Sequence, residues 1–465
     1  MLDAGVLSDV LRKLLSFGGE YADIFVEHRK ITSIQLEDNK VEKVVSGIDS
    51  GAGLRLIHNG KTAFAFSNDL TRESLMSIAA SLGSAISASS NVQALDMRKQ
   101  RPSSEFLIRI SPDSVPMEKK ISLVKSANRT ARSHDKRIRQ VSVSYRDSVQ
   151  KVQIADSCGN FAEDERVYTV GLIHVIASDN GIIQTGYEAE GGNIGFELFD
   201  AVSMEELARK ASGRAVKMLT ARRAPGGRMP IVISAEAGGT LIHEAIGHGL
   251  EADLAQQGLS VYSNKLGQKV ASALVTVIDD STLPNKRGSF RFDDEGTPAR
   301  RTLLVENGVL TGYMYDRLTA LNNNVESTGN GRRESYQHRP IPRMTNTFIA
   351  SGESRPDAII KSVQKGLLVK KMGGGQVNTV SGDFVFDVQD GYLIENGEVS
   401  EPVRGATLTG NGPEVLKSID MVGSDLGFSI GTCGKDAQGV PVSDAMPTIR
   451  IPEMVVGGEV EVMQK

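Results

Sequence analysis

Within this 465-residue chain, the residue types best suited to chemistry fall in one short segment, His243-Glu244-Ala245-Ile246-Gly247-His248. Two imidazoles with a carboxylate beside the first make up the ligand grammar of zinc hydrolases. The histidines hold the metal, and the glutamate takes a proton from the activated water and passes it to the leaving amine. In the commonest motif of this kind the histidines are four apart and align on one helix face; here they are five apart. Five residues turn a regular α-helix by about 500°, leaving the second ring roughly 140° round from the first. Both rings reach one ion only if the helix widens or ends between them. A π-bulge does this, and such bulges recur at functional sites; Gly247, directly before His248, is a residue type that permits it. The alternative is that the two histidines are unrelated core or surface residues and no site exists. Against that, two of only seven histidines fall here, Glu244 sits where a general base belongs, and glycines crowd both sides. Glu251, three residues after His248, is spaced to orient its ring.

The elements that must position these residues follow from periodicity. An apolar strand, Pro230-Ile231-Val232-Ile233-Ser234, leads through Gly238-Gly239-Thr240 into a helix predicted over about 238–254. Many short strands broken by glycines follow. Upstream, a helix over about 2–16 precedes alternating segments at 22–29, 32–37, 40–45, 51–58 and 62–67, with Asn59-Gly60 as a two-residue hairpin signal. A helix over 71–87 comes next. The pattern then loosely recurs: a helix over 117–136, strands at 140–147, 149–156, 161–177 and 181–190, and a helix over 204–220. Residues 221–228, rich in Arg, Pro and Gly, read as a linker. The expectation is an α+β protein. Residues 1–222 form an N-terminal α+β domain with antiparallel strands, and 228–465 a mostly-β domain with one inserted helix carrying the His-Glu-x-x-x-His motif.

Composition narrows the function classes. With 53 Lys and Arg against 57 Asp and Glu, a net charge of −4, there is no bulk electrostatic case for nucleic acid. No apolar stretch approaches the roughly 20 residues needed to span a bilayer, and the N-terminus lacks a signal peptide's apolar core. Cysteine is sparse, Cys158 and Cys433 only. These features are expected of a cytoplasmic protein with no membrane or nucleic-acid partner.

His243-Glu244-x-x-x-His248-Gly249-Leu250-Glu251 resembles the signature of the TldD branch of the TldD/PmbA peptidases, also called modulator of DNA gyrase proteins. Further blocks match in the family's order: Asp293-Asp294-Glu295-Gly296-Thr297-Pro298, residues 328–335 and 342–347, Gly373-Gly374-Gly375-Gln376-Val377, and Cys433-Gly434-Lys435. The resemblance is dense in the C-terminal domain and loose in the N-terminal one. It implies a zinc site of two histidines and a distant cysteine: His243, His248 and Cys433. Three such ligands leave a fourth position for water, and Lys435 is placed to keep the thiolate ionised. By residue type alone Cys433 reads equally as a buried apolar residue, and Glu251 is the rival third ligand, with His338 and Asp293 weaker rivals. Cys158 has no matching context. The family's sister branch, the TldE or PmbA type, lacks the motif.

The resemblance implies a peptidase acting on unfolded peptides inside a dimer cavity, as a homodimer or paired with the sister protein. Glu244 would be general base and then acid. Arg332, Arg333, Tyr336 and His338 are candidates for oxyanion stabilisation, although the arginines equally suit ion pairs with Asp293, Asp294 or Glu295. The extended run around Gly374 would hold substrate as an added strand, or else be a bulge or turn. The competing reading is a non-catalytic, zinc-binding regulatory partner.

Overall fold

The computed structural model describes residues 1–84 and 97–458. Three helices of the N-terminal domain fall where their periodicity placed them: α1 (Ala4–Leu15), α3 (Met117–His134) and α4 (Met204–Thr220), with α2 at Arg72–Ser84. The end of the helix expected to run to residue 87 lies outside the described residues. The strands are longer than expected. Segments read as pairs merge into β1 (Tyr21–Glu37), β2 (Lys40–His58) and, after β3 (Lys61–Ser67), β4 (Ile138–Asp156). With β5 (Asn160–Asp179) and β6 (Ile182–Asn193) they make one antiparallel sheet in the order β3-β2-β1-β4-β5-β6. The loose recurrence in the sequence is visible here. Each half contributes three consecutive strands and two helices, and the halves meet where β1 pairs with β4.

Period-2 alternation gives this sheet two different faces. Ile24 and Val26 turn towards α1 and α2, and Val141, Val143 and Tyr145 towards α3 and α4. Phe25, Val152 and Ile154 point the other way and pack on Phe292 and Tyr336 of the C-terminal domain. That joint is heavily ionic. Arg55, 1% exposed, lies between Asp23 and Glu295, at 2.7 Å from the latter, and Arg166 meets Asp294 at 2.6 Å.

The C-terminal strands used below are β7 (Gly227–Ile233), β8 (Val277–Asp280), β9 (Arg301–Glu306), β10 (Asn346–Ile349), β11 (Lys365–Val377), β12 (Asp383–Glu395), β13 (Thr407–Asn411), β14 (Gly427–Lys435), β15 (Gln438–Met446) and β16 (Ile449–Gly457). One sheet closes on itself in the order β11-β7-β16-β13-β12, because β12 pairs back to β11. A second runs β9-β8-β10-β15-β14. The expected linker is partly ordered, since Arg222–Arg223 pairs with the strand Glu398–Arg404.

The helix expected over 238–254 is four short pieces. Thr240–Ile242 is α-helical, His243–Gly247 is a π-turn, and His248–Leu250 is 3-10. Glu251 is extended (ψ 123°) and starts Ala252–Gln256. Leu241, Ile242, Ile246 and Leu250 are buried in the C-terminal core. At about 1.5–3 kcal/mol each, their burial offsets the poorer hydrogen bonding of an irregular helix.

Candidate metal centre

The π-turn solves the spacing problem. The His248 N–H donates to the His243 carbonyl, so the two histidines themselves close the widened ring. Their rings come to 5.0 Å between centroids, at 86° to each other. Gly247 contributes differently from the expectation. Its backbone is ordinary helix (φ −54°, ψ −57°), but a Cβ there would fall 2.2 Å from Met344 Sδ. Glycine is required by close packing, not by an unusual dihedral.

Cys433 arrives from β14 of the second sheet. Its hairpin with β15 turns through Asp436 (φ 49°) and Ala437 (φ 58°), the two left-handed residues that such a tight turn needs. One donor atom from each of His243, His248 and Cys433 lies within 4.8 Å of the others. Cys433 Sγ is 3.5 Å from His248 Nε2. Nitrogen and sulfur bound to one tetrahedral zinc at the usual bond lengths would be about 3.6 Å apart, so this donor set fits the metal that its chemistry implies.

Each imidazole is held from behind by a carboxylate. Glu251 Oε2 accepts from His248 Nδ1 at 3.0 Å, which turns Nε2 towards the sulfur. Glu251 therefore stands on the far side of that ring from Cys433. It is itself fully buried against Lys435 (3.1 Å) and Arg343 (3.9 Å). Asp444, on β15, performs the corresponding task for His243. Its Oδ2 is 3.7 Å from an otherwise unpartnered Nδ1, and its Oδ1 accepts from Gly239 N at 3.1 Å. Arg343 donates to the Cys433 and Gln438 carbonyls, tying the hairpin to Glu251.

Burial alone would raise the Cys433 thiol, but hydrogen bonding and charge from His243 and His248 outweigh it and bring the pKa down to about 5. The imidazoles respond in kind. Burial opposes their charge, yet Cys433 raises His243, and Glu251 and Cys433 raise His248. Lys435 does not act on the thiolate as expected; its ammonium is engaged by Glu251 and by Asp253 at 2.7 Å.

Glu244 is half-buried and makes no hydrogen bond or ion pair among the described residues. It lines, with His243, Gly374 and Asp444, a cavity of about 540 Å³ and, with His248 and Cys433, an adjoining one of about 380 Å³. Burial raises its carboxyl above the usual range, partly offset by the two histidines. A carboxylate poised this way is suited to proton transfer near neutral pH.

Other expected residues lie elsewhere. Arg332 donates to the Met344 and Pro441 carbonyls, and Arg333 to the Asp294 carbonyl, and neither lines the cavities at His243. His338 bonds to Ser335 within its own loop. Asp293 accepts from the backbone of Glu295, Thr297 and Gly331, a structural role. Cys158 is exposed and remote. Asp444 and Arg343 were missed by sequence reasoning, and no local spacing announces either.

Fold and donor set together have the parts of a metal-dependent hydrolase. Family models describe the same thing: the PmbA/TldA metallopeptidase domain 1 matches residues 22–89, the central domain 110–219 and the C-terminal domain 226–458. A metalloprotease TldD homolog of Haemophilus influenzae is 38% identical, covering 94% of this chain and 93% of that one. One from Buchnera aphidicola is 36% identical, covering 99% and 98%. In fold, the chain is similar to TldE from Thermococcus kodakarensis, with TM-score 0.77 and 18% identity over 97% of this chain and 100% of that one. The chain belongs to the PmbA/TldA metallopeptidase family, and its curated relatives carry the TldD name.

Proposed function

We propose that the chain is a zinc-dependent peptidase hydrolysing unfolded peptides or small protein substrates in the cytoplasm. His243, His248 and Cys433 hold the metal, and Glu244 acts as general base and then general acid. The observation that carries this is the unpartnered Glu244 carboxylate, facing the same cavities as all three donors. A structural zinc site takes four protein ligands and has no use for a free carboxylate, whereas three ligands leave a position open. A thiolate donor favours zinc over magnesium or manganese. Zinc bound there supplies a Lewis acid towards water and a peptide carbonyl.

This chain's own residues then do the rest. Glu251 and Asp444 hold the imidazoles in one orientation. Glu244 accepts a proton from the attacking water and returns it to the leaving amine. Residues 371–377 of β11 pair only with β12, because β7 covers β11 only at 367–369. Their other edge borders the Glu244 cavity, and nothing lies within 4 Å of a Cβ at Gly374. A peptide added along this edge is held by its main chain, which suits broad specificity. We assign the working unit to a pair of chains, either two copies or one copy with a TldE/PmbA-type sister, consistent with the shared fold.

The test is Glu244→Gln. The variant should keep stoichiometric zinc and cleave an unfolded peptide about 10²–10⁴-fold more slowly. Unchanged cleavage would remove Glu244 from its role. A wild-type protein that holds zinc yet cleaves no peptide would favour the regulatory-partner reading.

A further inference from the structure

A second cavity of about 540 Å³ lies between the N-terminal sheet and the β14–β15 hairpin. It is continuous with the Glu244 cavity, for Tyr187, Ala189 and residues 430–432 line both. Its walls carry Arg29, Arg146, Arg287 and Arg332, none with a carboxylate in salt-bridge reach among the described residues. The carboxylates that share the walls are engaged elsewhere. Asp294 holds Arg166 at 2.6 Å, Asp147 holds Lys120 at 2.5 Å, and Glu334 accepts from Gly439 N at 2.6 Å.

Buried cations are ordinarily paired. Arg332 is 4% exposed and bonded only to carbonyls, and Arg287 keeps a buried, unpartnered Nε. Burial depresses the pKa of both guanidinium groups. The missing charge is an anion. Arg287 is also fixed in place: its backbone N donates to Ser443 Oγ at 2.9 Å and its Nη2 to Thr432 Oγ1 at 3.3 Å. Thr432 precedes Cys433. The guanidinium thus sits one strand residue from the metal donors, a span of roughly two residues of extended peptide at about 3.3 Å each.

We propose that this cavity is a carboxylate subsite anchored by Arg287, selecting peptides that present a carboxylate one or two residues beyond the scissile bond. The carboxylate is the peptide's free C-terminus or an Asp or Glu side chain. The proposal rests on the peptidase reading for its substrate, and its test separates the two.

Three peptides of one sequence are compared on the zinc-loaded enzyme: the free acid, the C-terminal amide, and the amide with Glu at the corresponding position. The free acid should exceed the amide in kcat/KM about 10–100-fold, the worth of a charge-assisted hydrogen bond. In Arg287→Gln this ratio should fall to about 1. Recovery by the Glu-bearing amide assigns the site to side chains as well as termini. Calorimetry on zinc-loaded Glu244→Gln should show the same acid-over-amide ratio in Kd. If Arg287→Gln fails to fold, Arg146→Gln on the exposed sheet surface should lower the ratio instead. Equal hydrolysis and equal binding of acid and amide would overturn the subsite and leave the peptidase standing. Acid-selective binding without hydrolysis of any peptide would do the reverse.

Discussion

Replacing Glu251 with Gln tests whether the metal centre depends on the groups behind its ligands. The substitution keeps the shape and removes one charge from a fully buried position. Its partners are unequally affected. Lys435 retains Asp253 at 2.7 Å, and Arg343 retains the carbonyls of Cys433 and Gln438. His248 loses the carboxylate on Nδ1, its one carboxylate partner, at 3.0 Å. A hydrogen bond to a charged group contributes about 1.5–3 kcal/mol. Most of that loss falls on the basicity and orientation of the ligand, so zinc affinity should drop about 10–100-fold. Competition with a chromophoric chelator measures it. An affinity within twofold of the parent would refute the orienting argument. A loss beyond about 10³-fold would make Glu251 a ligand rather than a support.

Three further expectations follow from the geometry. Ala437 occupies a left-handed position at φ 58° in the turn behind Cys433, so Ala437→Gly should stabilise the fold by about 1 kcal/mol, read as a rise in Tm with zinc content unchanged. Arg55→Met should destabilise by about 3–5 kcal/mol in denaturant titration, because it leaves Asp23 and Glu295 buried without their cation; a change below 1 kcal/mol would show the joint is not held by this pair. Chelation should lower Tm, and free zinc at about 100 times Kd should restore roughly 2.7 kcal/mol; a Tm indifferent to chelator would mean that the three donors hold no ion in the folded state.

Much of the site was legible because its oddity was local. A five-residue histidine interval cannot face one point on a regular helix, so the widened turn followed from helix geometry before any fold was in hand. Cys433 followed from resemblance, not from spacing. Asp444 and Arg343 were invisible because strand pairing brings them in from far along the chain, with Asp444 opposite Ser429 on β14. Helix boundaries were legible wherever one face is apolar against the sheet. Strand lengths were not, and the reason is physical. In β4 the apolar alternation fails at Arg146, Asp147 and Ser148, which line the cavity between the domains. In β2 it fails over residues 40–50, which are largely exposed. Polar residues that look like turns are here strand residues facing water or a cavity. The blocks around Asp293–Glu295 and Arg332–Arg333 looked catalytic but serve largely as the ionic joint between domains.

The hydrogen bond that joins His248 N to the His243 carbonyl has an evolutionary corollary. Deleting one residue from Ala245–Gly247 would recreate the commoner four-residue interval and an ordinary helical turn. It would also swing everything downstream by about 100°, carrying Glu251 away from Lys435 and the second imidazole away from the sulfur. A lineage committed to this interval is therefore locked in: no single insertion or deletion leads from one histidine grammar to the other through a working intermediate.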